Sequence, residues 1–263
     1  MDATTKGERF DLKILYVLRT IIMYIYMFGY MLLYYPVLRR GEKALAAGDR
    51  ETLRRIVNEH IPRWCRGLLR VAGVQLIVEG QEHIPAGQPV VFVGNHRSYF
   101  DIPLVLVSLD HPHGILAKEE LARIPLLSRW MRLLGCVYVE RDDVRGSLQA
   151  LKDASAVVKG GDSFTIFPEG TRYKGEEGGV GEFKAGAFRI AIKSGVPVVP
   201  VAISGARGLY ESHNYIVHPG TVRVTILPAI RTAGMSKDEQ RQLPEAVRQN
   251  ILAALSRLDH TII

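Results

Sequence analysis

The sequence predicts an α/β protein in which a mostly parallel central sheet is flanked by helices and preceded by an N-terminal, membrane-associated helical pair. Three observations carry this prediction. Short, β-rich apolar runs alternate with helical patterns from residue 74 onward. Charged or reactive residues follow several of these runs, where parallel strands would end. A stretch without charge, residues 20–38, has about the length of a membrane helix.

The N-terminal segment, residues 1–73, is predicted to anchor the chain to a membrane as two helices. Its apolar stretch, residues 20–38, is crowded with tyrosines that are spread along it instead of gathered at its ends. Because tyrosine prefers the membrane interface, this favours a helix lying in one leaflet, or a re-entrant pair with residues 50–73. A single span and a soluble core helix are the alternatives. The predicted location is the inner, cytoplasmic membrane face, with monotopic attachment through residues 10–72.

The remaining residues, 74–263, are predicted to form one α/β domain, because β-rich runs alternate there with helical periodicity. The glycine-containing residues 176–179 are predicted to be a flexible surface loop, acting as a lid or flap. The predicted strands are residues 74–78, 90–93, 114–117, 136–140, 163–167, 198–203 and 222–227, and the predicted helices are residues 102–108, 119–134, 144–159, 185–193 and 236–258.

The charge of the chain predicts an anionic partner. The 263 residues carry a formal charge of +7, and the pI is about 9.4. No arginine-rich run, zinc spacing or aromatic–basic strand motif is present, so a nucleic-acid partner is not predicted. Anionic lipid and an acidic carrier protein fit the charge equally well. The two cysteines, Cys65 and Cys136, offer no disulfide framework, which suits a cytosolic face.

A histidine and an aspartate follow the second predicted strand, in the stretch VVFVGNHRSYFDIP. On one helix, His96 and Asp101 would face different sides, so they meet only if the chain bends between them. Gly94 and Asn95 favour such a bend, and Asp101, two residues before a proline, is typical of a helix start. A carboxylate on one ring nitrogen makes the other nitrogen a better base. The alternative is that the two residues only cap a turn and a helix.

Three further polar clusters follow predicted strands. Lys118 comes after the third strand, Arg141 after the fourth, and residues 168–172 after the fifth. Because the carboxyl ends of parallel strands share one edge of a sheet, these clusters and the histidine are expected to form a single site. The cations Lys118, Arg141 and Arg172 would suit a phosphate group. Separate surface ion pairs are the alternative.

No motif indicates a metal site or a protein nucleophile. The chain lacks both the phosphate-binding loop of nucleotide enzymes and the nucleophile elbow of serine hydrolases. The histidines His111, His113 and His213 match no strong zinc spacing, and they are predicted to be surface or loop residues. The sequence therefore predicts no metal.

A base without a protein nucleophile favours direct transfer between two substrates. His96 would deprotonate a substrate hydroxyl, whose oxygen would attack an acyl thioester, and Asp101 would support the imidazolium. Backbone N–H groups near residues 94–95 or 170–171 would stabilise the oxyanion, and the sequence leaves open which of them does so.

Four blocks of sequence resemble one known family. Residues 95–101, NHRSYFD, and residues 167–172, FPEGTR, resemble the NHx4D and FPEGTR blocks of the glycerolipid acyltransferases, in particular the bacterial 1-acylglycerol-3-phosphate acyltransferases. Residues 118–121 with 135–141 resemble the second block of that family, and residues 196–201 resemble the fourth. The resemblance covers about residues 80–228. It implies the glycerol-3-phosphate acyltransferase-like fold, with His96 and Asp101 as the catalytic pair and with a site for phosphate and glycerol at Lys118, Arg141, Glu169, Gly170, Thr171 and Arg172.

The resemblance implies transfer of a fatty acyl chain to the sn-2 hydroxyl of lysophosphatidic acid, giving phosphatidic acid. The expected donor is acyl-CoA or acyl-carrier protein, with no bound cofactor. Two departures from the family pattern, Tyr173 after the arginine block and Glu140 before Arg141, leave other lysolipids and glycerol-3-phosphate open as acceptors. A metal-dependent phosphohydrolase and a non-catalytic lipid-binding membrane protein are the alternatives of a different class.

Overall fold

The fold is a seven-stranded sheet between two layers of helices. A computed structural model describes residues 3–109, 111–140 and 143–259. The strands are arranged in the order β1-β7-β6-β2-β5-β3-β4, and every adjacent pair is parallel except β6 and β7. This confirms the predicted, mostly parallel sheet. The strands are β1 Val74–Glu79, β2 Val91–Gly94, β3 Gly114–Lys118, β4 Val137–Val139, β5 Phe164–Ile166, β6 Val198–Ser204 and β7 Gly220–Ile226.

Helices cover both faces of the sheet because side chains alternate in direction along its buried strands. In β2, Phe92 packs into one apolar cluster, whereas Val91 and Val93 pack into the other. Helices α3, α4 and α5 contribute to the first cluster, and α6, α7 and α8 contribute to the second. The helices are α1 Ala3–Leu33, α2 Tyr35–Ala46, α3 Arg50–Ala72, α4 Asp101–Ser108, α5 Pro125–Leu133, α6 Val144–Lys159, α7 Ala185–Ser194 and α8 Lys237–Asp259.

The N-terminal part contains three helices where the sequence predicted two. The apolar stretch is divided at Tyr34, because a proline in the first turn of α2 starts a new helix there. The carboxylate of Asp49 caps the start of α3 by accepting the N–H of Thr52 at 3.0 Å. Gly73 ends α3 in the left-handed conformation, at φ 76°. Within α1, the range Leu12–Leu33 is long and apolar enough to cross a membrane, and 11% of it is buried in the protein.

The predicted helix over residues 119–134 is interrupted. The chain forms a short 3-10 helix, Glu119–Arg123, and then α5, with Ile124 in an extended conformation between them. Pro125 causes the break, because a proline disfavours the helical conformation of the residue before it. The second part still packs as a core helix, with Trp130 and Leu133 buried in the first apolar cluster.

His113 lies in the loop before β3, as predicted, but its side chain is buried in the core and not at the surface. Its side chain is 2% exposed. Its Nδ1–H donates to the carbonyl of His111 at 2.7 Å, and its Nε2 accepts the hydroxyl of Thr165 at 2.6 Å. These two bonds fix the neutral tautomer, since a carbonyl can only accept. Burial lowers the pKa of His113 to about 4.

This buried histidine makes stability depend on pH. Because its pKa falls from 6.5 in the unfolded chain to about 4 in the folded protein, its contribution is complete above pH 6.5 and is lost as the pH falls toward 4. We expect protonation of this histidine in the unfolded chain to lower the free energy of unfolding by about 2 kcal/mol when the pH falls from 7 to 5. Chemical denaturation of the wild type and of His113→Gln at both pH values measures this share, and equal losses in the two proteins would contradict it.

Candidate active site

The candidate active site begins where β2 leaves the sheet. The side chain of Asn95 replaces a pair of backbone hydrogen bonds between strands. Its amide N–H donates to the carbonyl of Ile203 in β6 at 2.9 Å, and its oxygen accepts the N–H of the same residue at 2.8 Å. Asn95 is buried. It therefore fixes the end of β2 against β6, and the next residue, His96, leaves the sheet at its carboxyl edge.

His96 and Asp101 are in direct contact. The His96 Nδ1 atom lies 2.7 Å from Asp101 Oδ2, and the same oxygen accepts the backbone N–H groups of Arg97 at 2.7 Å and Ser98 at 2.8 Å. Asp101 is fully buried at the start of α4. With its Nδ1–H donated to the carboxylate, His96 carries its lone pair on Nε2, where no described residue binds it. The imidazole packs on the ring of Phe167, with centroids 4.5 Å apart.

Glu169 holds the backbone beside the histidine. One carboxylate oxygen accepts the N–H of His96 at 2.8 Å, and the other accepts the N–H of Gly181 at 3.1 Å. The side chain is buried. Burial raises the pKa of Glu169, although the two backbone N–H groups act in the opposite direction. The N–H of Tyr173 binds the carbonyl of His96 at 2.7 Å, so residues of the FPEGTR block and the residue after it fix the histidine from both sides.

Of the other predicted substrate-binding residues, the structure describes Gly170, Thr171, Lys118 and Arg172. Gly170 turns the chain with φ 72°, and Thr171 after it is exposed. Lys118 lies at the same sheet edge, two strands from β2, where it is exposed and paired with Glu120. Arg141 lies outside the described residues.

Arg172 is held beside the histidine loop, residues 95–100, by Glu211, a residue that the sequence did not single out. Its Nη1 lies 3.0 Å from Glu211 Oε1, and its guanidinium carbon lies 3.7 Å from the centre of the Tyr99 ring. The Arg172 side chain keeps 25% of its surface exposed. Its charge is therefore anchored on one side and remains open to solvent at the edge of the site.

Arg97 orders the loop that the sequence predicted as a flap. The side chain is buried, and its guanidinium donates to the carbonyls of Glu176 at 2.6 Å and Gly175 at 2.8 Å. It also forms an ion pair with Glu177 and lies over the ring of Tyr173, 5.4 Å from its centre. Arg97, which directly follows His96, thus connects this loop to the candidate active site.

This arrangement combines a base with an anchored cation. The imidazole has one nitrogen committed to a buried carboxylate and the other available to accept a proton. A guanidinium fork nearby can bind oxygens of a phosphate. Such a site can deprotonate a hydroxyl on a molecule that is held by a neighbouring phosphate.

The fold and the site define the class, an acyltransferase: the sequence model with the description Acyltransferase matches residues 75–204. The chain is 32% identical over 191 residues to the 1-acyl-sn-glycerol-3-phosphate acyltransferase of Borreliella burgdorferi, which covers 72% of this chain and 75% of that protein. The crystal structure of the 1-acyl-sn-glycerophosphate (LPA) acyltransferase PlsC from Thermotoga maritima matches with a TM-score of 0.75 and 30% identity, covering 93% of this chain and 98% of that chain. The chain therefore belongs to the 1-acyl-sn-glycerol-3-phosphate acyltransferase family.

A plant relative matches a smaller part. The chloroplastic 1-acyl-sn-glycerol-3-phosphate acyltransferase BAT2 of Brassica napus is 39% identical over 151 residues, which cover 57% of this chain and 43% of that protein. These matches confirm the family resemblance that the sequence indicated.

Proposed function

We propose that this enzyme transfers a fatty acyl chain from a thioester donor to the sn-2 hydroxyl of lysophosphatidic acid, producing phosphatidic acid in phospholipid biosynthesis. The observation that carries the proposal is the contact of 2.7 Å between His96 Nδ1 and the buried Asp101 carboxylate, beside an arginine that is open to solvent. The names of the bacterial and plant relatives support the choice of acceptor.

In the proposed reaction, His96 Nε2 takes the proton of the sn-2 hydroxyl while the hydroxyl oxygen attacks the thioester carbonyl. The carbon–oxygen bond forms and the carbon–sulfur bond breaks. The proton on the imidazolium then passes to the leaving thiolate, which restores neutral His96. Asp101 stabilises the imidazolium and keeps the ring in the required tautomer.

The acceptor phosphate would be held by cations at the carboxyl edge of the sheet. Arg172 is the best placed of them, because its guanidinium lies against the histidine loop and is open to solvent. Lys118 and Arg141 are proposed as further phosphate contacts. Glu169, Gly170 and Thr171 are proposed to form part of the glycerol-phosphate site. The contribution of Glu169 is to fix the backbone of His96 through its carboxylate.

The donor is proposed to be acyl-CoA or acyl-carrier protein. Both are anionic, and the formal charge of +7 on this chain favours their approach. The thioester supplies the reactive carbonyl, so the proposed chemistry requires no bound cofactor.

The enzyme is proposed to sit on the inner, cytoplasmic face of a membrane, attached in monotopic fashion through residues 10–72. Helix α1 presents a continuous apolar surface to the outside, including Ile22, Ile25, Phe28 and Leu32. Burying this surface in a bilayer would place the site where the lysolipid and the product reside.

A charge on this surface should release the protein from lipid. Ile25 is 66% exposed, so Ile25→Glu should change the free energy of unfolding little. The substitution removes a side chain whose transfer from water into lipid contributes about 1.5–3 kcal/mol, and it adds a charge. We expect vesicle affinity to fall by about tenfold or more, as measured by co-sedimentation. Leu148→Glu, an exposed apolar residue on α6, is the matched control. Equal binding of both variants would contradict membrane attachment through α1.

The proposed function is tested by acyl transfer with purified protein in lipid vesicles. The donors are labelled acyl-CoA and acyl-carrier protein, and the acceptors are lysophosphatidic acid and glycerol-3-phosphate. Formation of phosphatidic acid from lysophosphatidic acid supports the proposal. Transfer only to another acceptor would change the substrate and retain the mechanism, whereas release of inorganic phosphate without acyl transfer would indicate a hydrolase.

A further inference from the structure

Glu211 bonds to both loops of the candidate active site. Its Oε1 accepts the N–H of Tyr99 at 2.8 Å and the Nη1–H of Arg172 at 3.0 Å. Its Oε2 accepts the hydroxyl of Ser98 at 2.7 Å. The Glu211 side chain is only 7% exposed. One buried carboxylate therefore joins the histidine loop to the arginine of the FPEGTR block.

The contacts of Arg172 leave part of its guanidinium available. An arginine side chain has five N–H donors, and Glu211 accepts one of the two on Nη1. The face of the guanidinium lies on the ring of Tyr99, 3.7 Å from its centre. Glu211 and Tyr99 hold this side chain while 25% of its surface stays exposed, so its remaining donors are available to an anionic group.

Glu211 is itself carried by a segment that packs on α1. This connector, residues 205–219, joins β6 to β7. The hydroxyl of Tyr210, the neighbour of Glu211, is hydrogen-bonded to that of Tyr24 in α1. Further along the connector, the N–H of Val217 donates to the hydroxyl of Thr20 in α1 at 2.8 Å. The position of Glu211 is therefore tied to the apolar helix.

We propose that Glu211 is a positioning residue for the acceptor: it holds Arg172 in place to bind the lysolipid phosphate. Its own position is fixed by the contacts of the connector with α1. The inference rests on the proposed function and adds to it a residue that determines acceptor affinity. Glu211 acts through Arg172 and does not touch the reacting atoms.

The test compares Glu211→Ala and Glu211→Gln with the wild type. We expect Glu211→Ala to raise the KM for lysophosphatidic acid about tenfold, the order expected for lost bonds to a charged group, while the KM for the donor is unchanged. Glu211→Gln should have a smaller effect, because its amide oxygen can still accept bonds from this cluster. Glu239→Ala, which removes an exposed carboxylate at the start of α8, is the control and should leave both constants unchanged.

A double-mutant cycle separates positioning from general damage. If Glu211 acts through Arg172, then adding Glu211→Ala to Arg172→Ala should change the acceptor KM by less than about twofold. Binding of a soluble, short-chain lysophosphatidic acid, measured by calorimetry without donor, gives a readout that does not depend on turnover. It should weaken about tenfold in Glu211→Ala.

The outcomes can be told apart. Additive effects of the two substitutions, equal changes in donor and acceptor KM, or unchanged calorimetric binding in Glu211→Ala would each overturn the role of Glu211 and leave the proposed function intact. A wild-type protein that neither binds nor acylates lysophosphatidic acid would overturn the proposed function and this inference together.

Discussion

We expect kcat of His96→Ala to be about 10²–10⁴-fold below that of the wild type, the range that a general base contributes. The reason is that Nε2 of His96 is the nitrogen left available after Nδ1 has been committed to Asp101 at 2.7 Å. Without it, the acceptor hydroxyl has to lose its proton to water. Single-turnover transfer of labelled acyl chains to lysophosphatidic acid in vesicles measures the effect on the chemical step.

The loss has to be separated from damage to the fold, since the imidazole also packs on Phe167 at 4.5 Å between ring centres. Thermal unfolding of the same preparations provides that check. His83→Ala removes another half-buried histidine, which bonds to the carbonyl of Ile226, and it should retain most of the activity. Transfer by His96→Ala at the wild-type rate would show that this histidine is not the base.

Asp101→Asn should reduce kcat by up to about 10⁴-fold, because an amide cannot enforce the required tautomer of the histidine. The Oδ2 atom of Asp101 accepts three donors, from His96, Arg97 and Ser98. If the asparagine turns its NH₂ group toward His96, then Nδ1 has to accept and Nε2 carries the proton. The nitrogen that faces the substrate then cannot act as a base.

The measurement is kcat together with the free energy of unfolding. Asp162→Asn serves as the control, because it changes a carboxylate that pairs with Arg50 and Arg54 at the opposite edge of the sheet. That variant should keep its kcat. An Asp101→Asn enzyme with wild-type kcat would mean that the carboxylate only orders the backbone at Arg97 and Ser98.

Much of the fold follows from local patterns in the sequence. Helix α6 occupies the predicted residues 144–159, because its apolar periodicity is regular and Asp143 caps its start. The break at Ile124 was missed, although the proline after it gave a signal: apolar periodicity continues through both parts and hides the change in backbone conformation. The same reasoning applies to the proline at the start of α2.

The site was predictable where its members are close in sequence. A bend between His96 and Asp101 follows from a glycine and an asparagine, and the structure brings the two side chains together. Glu211 was not predictable, because it lies 113 residues from Ser98 in the chain and belongs to no motif. The inward direction of Glu169 was also hidden, since the side-chain direction in a tight turn depends on tertiary contacts.

The fixed backbone of His96 has a consequence for how the substrate enters the site and how the product leaves it. Its N–H is bound by Glu169 and its carbonyl by Tyr173, while its ring is bound by Asp101. The proposed base is therefore already in its working position and needs little reorganisation when the substrate arrives. Such an enzyme does not have to close over the lipid in order to assemble its chemistry. We expect an enzyme attached as proposed through residues 10–72 to stay open toward the bilayer, so that a two-chain product leaves sideways by the route along which the one-chain substrate entered.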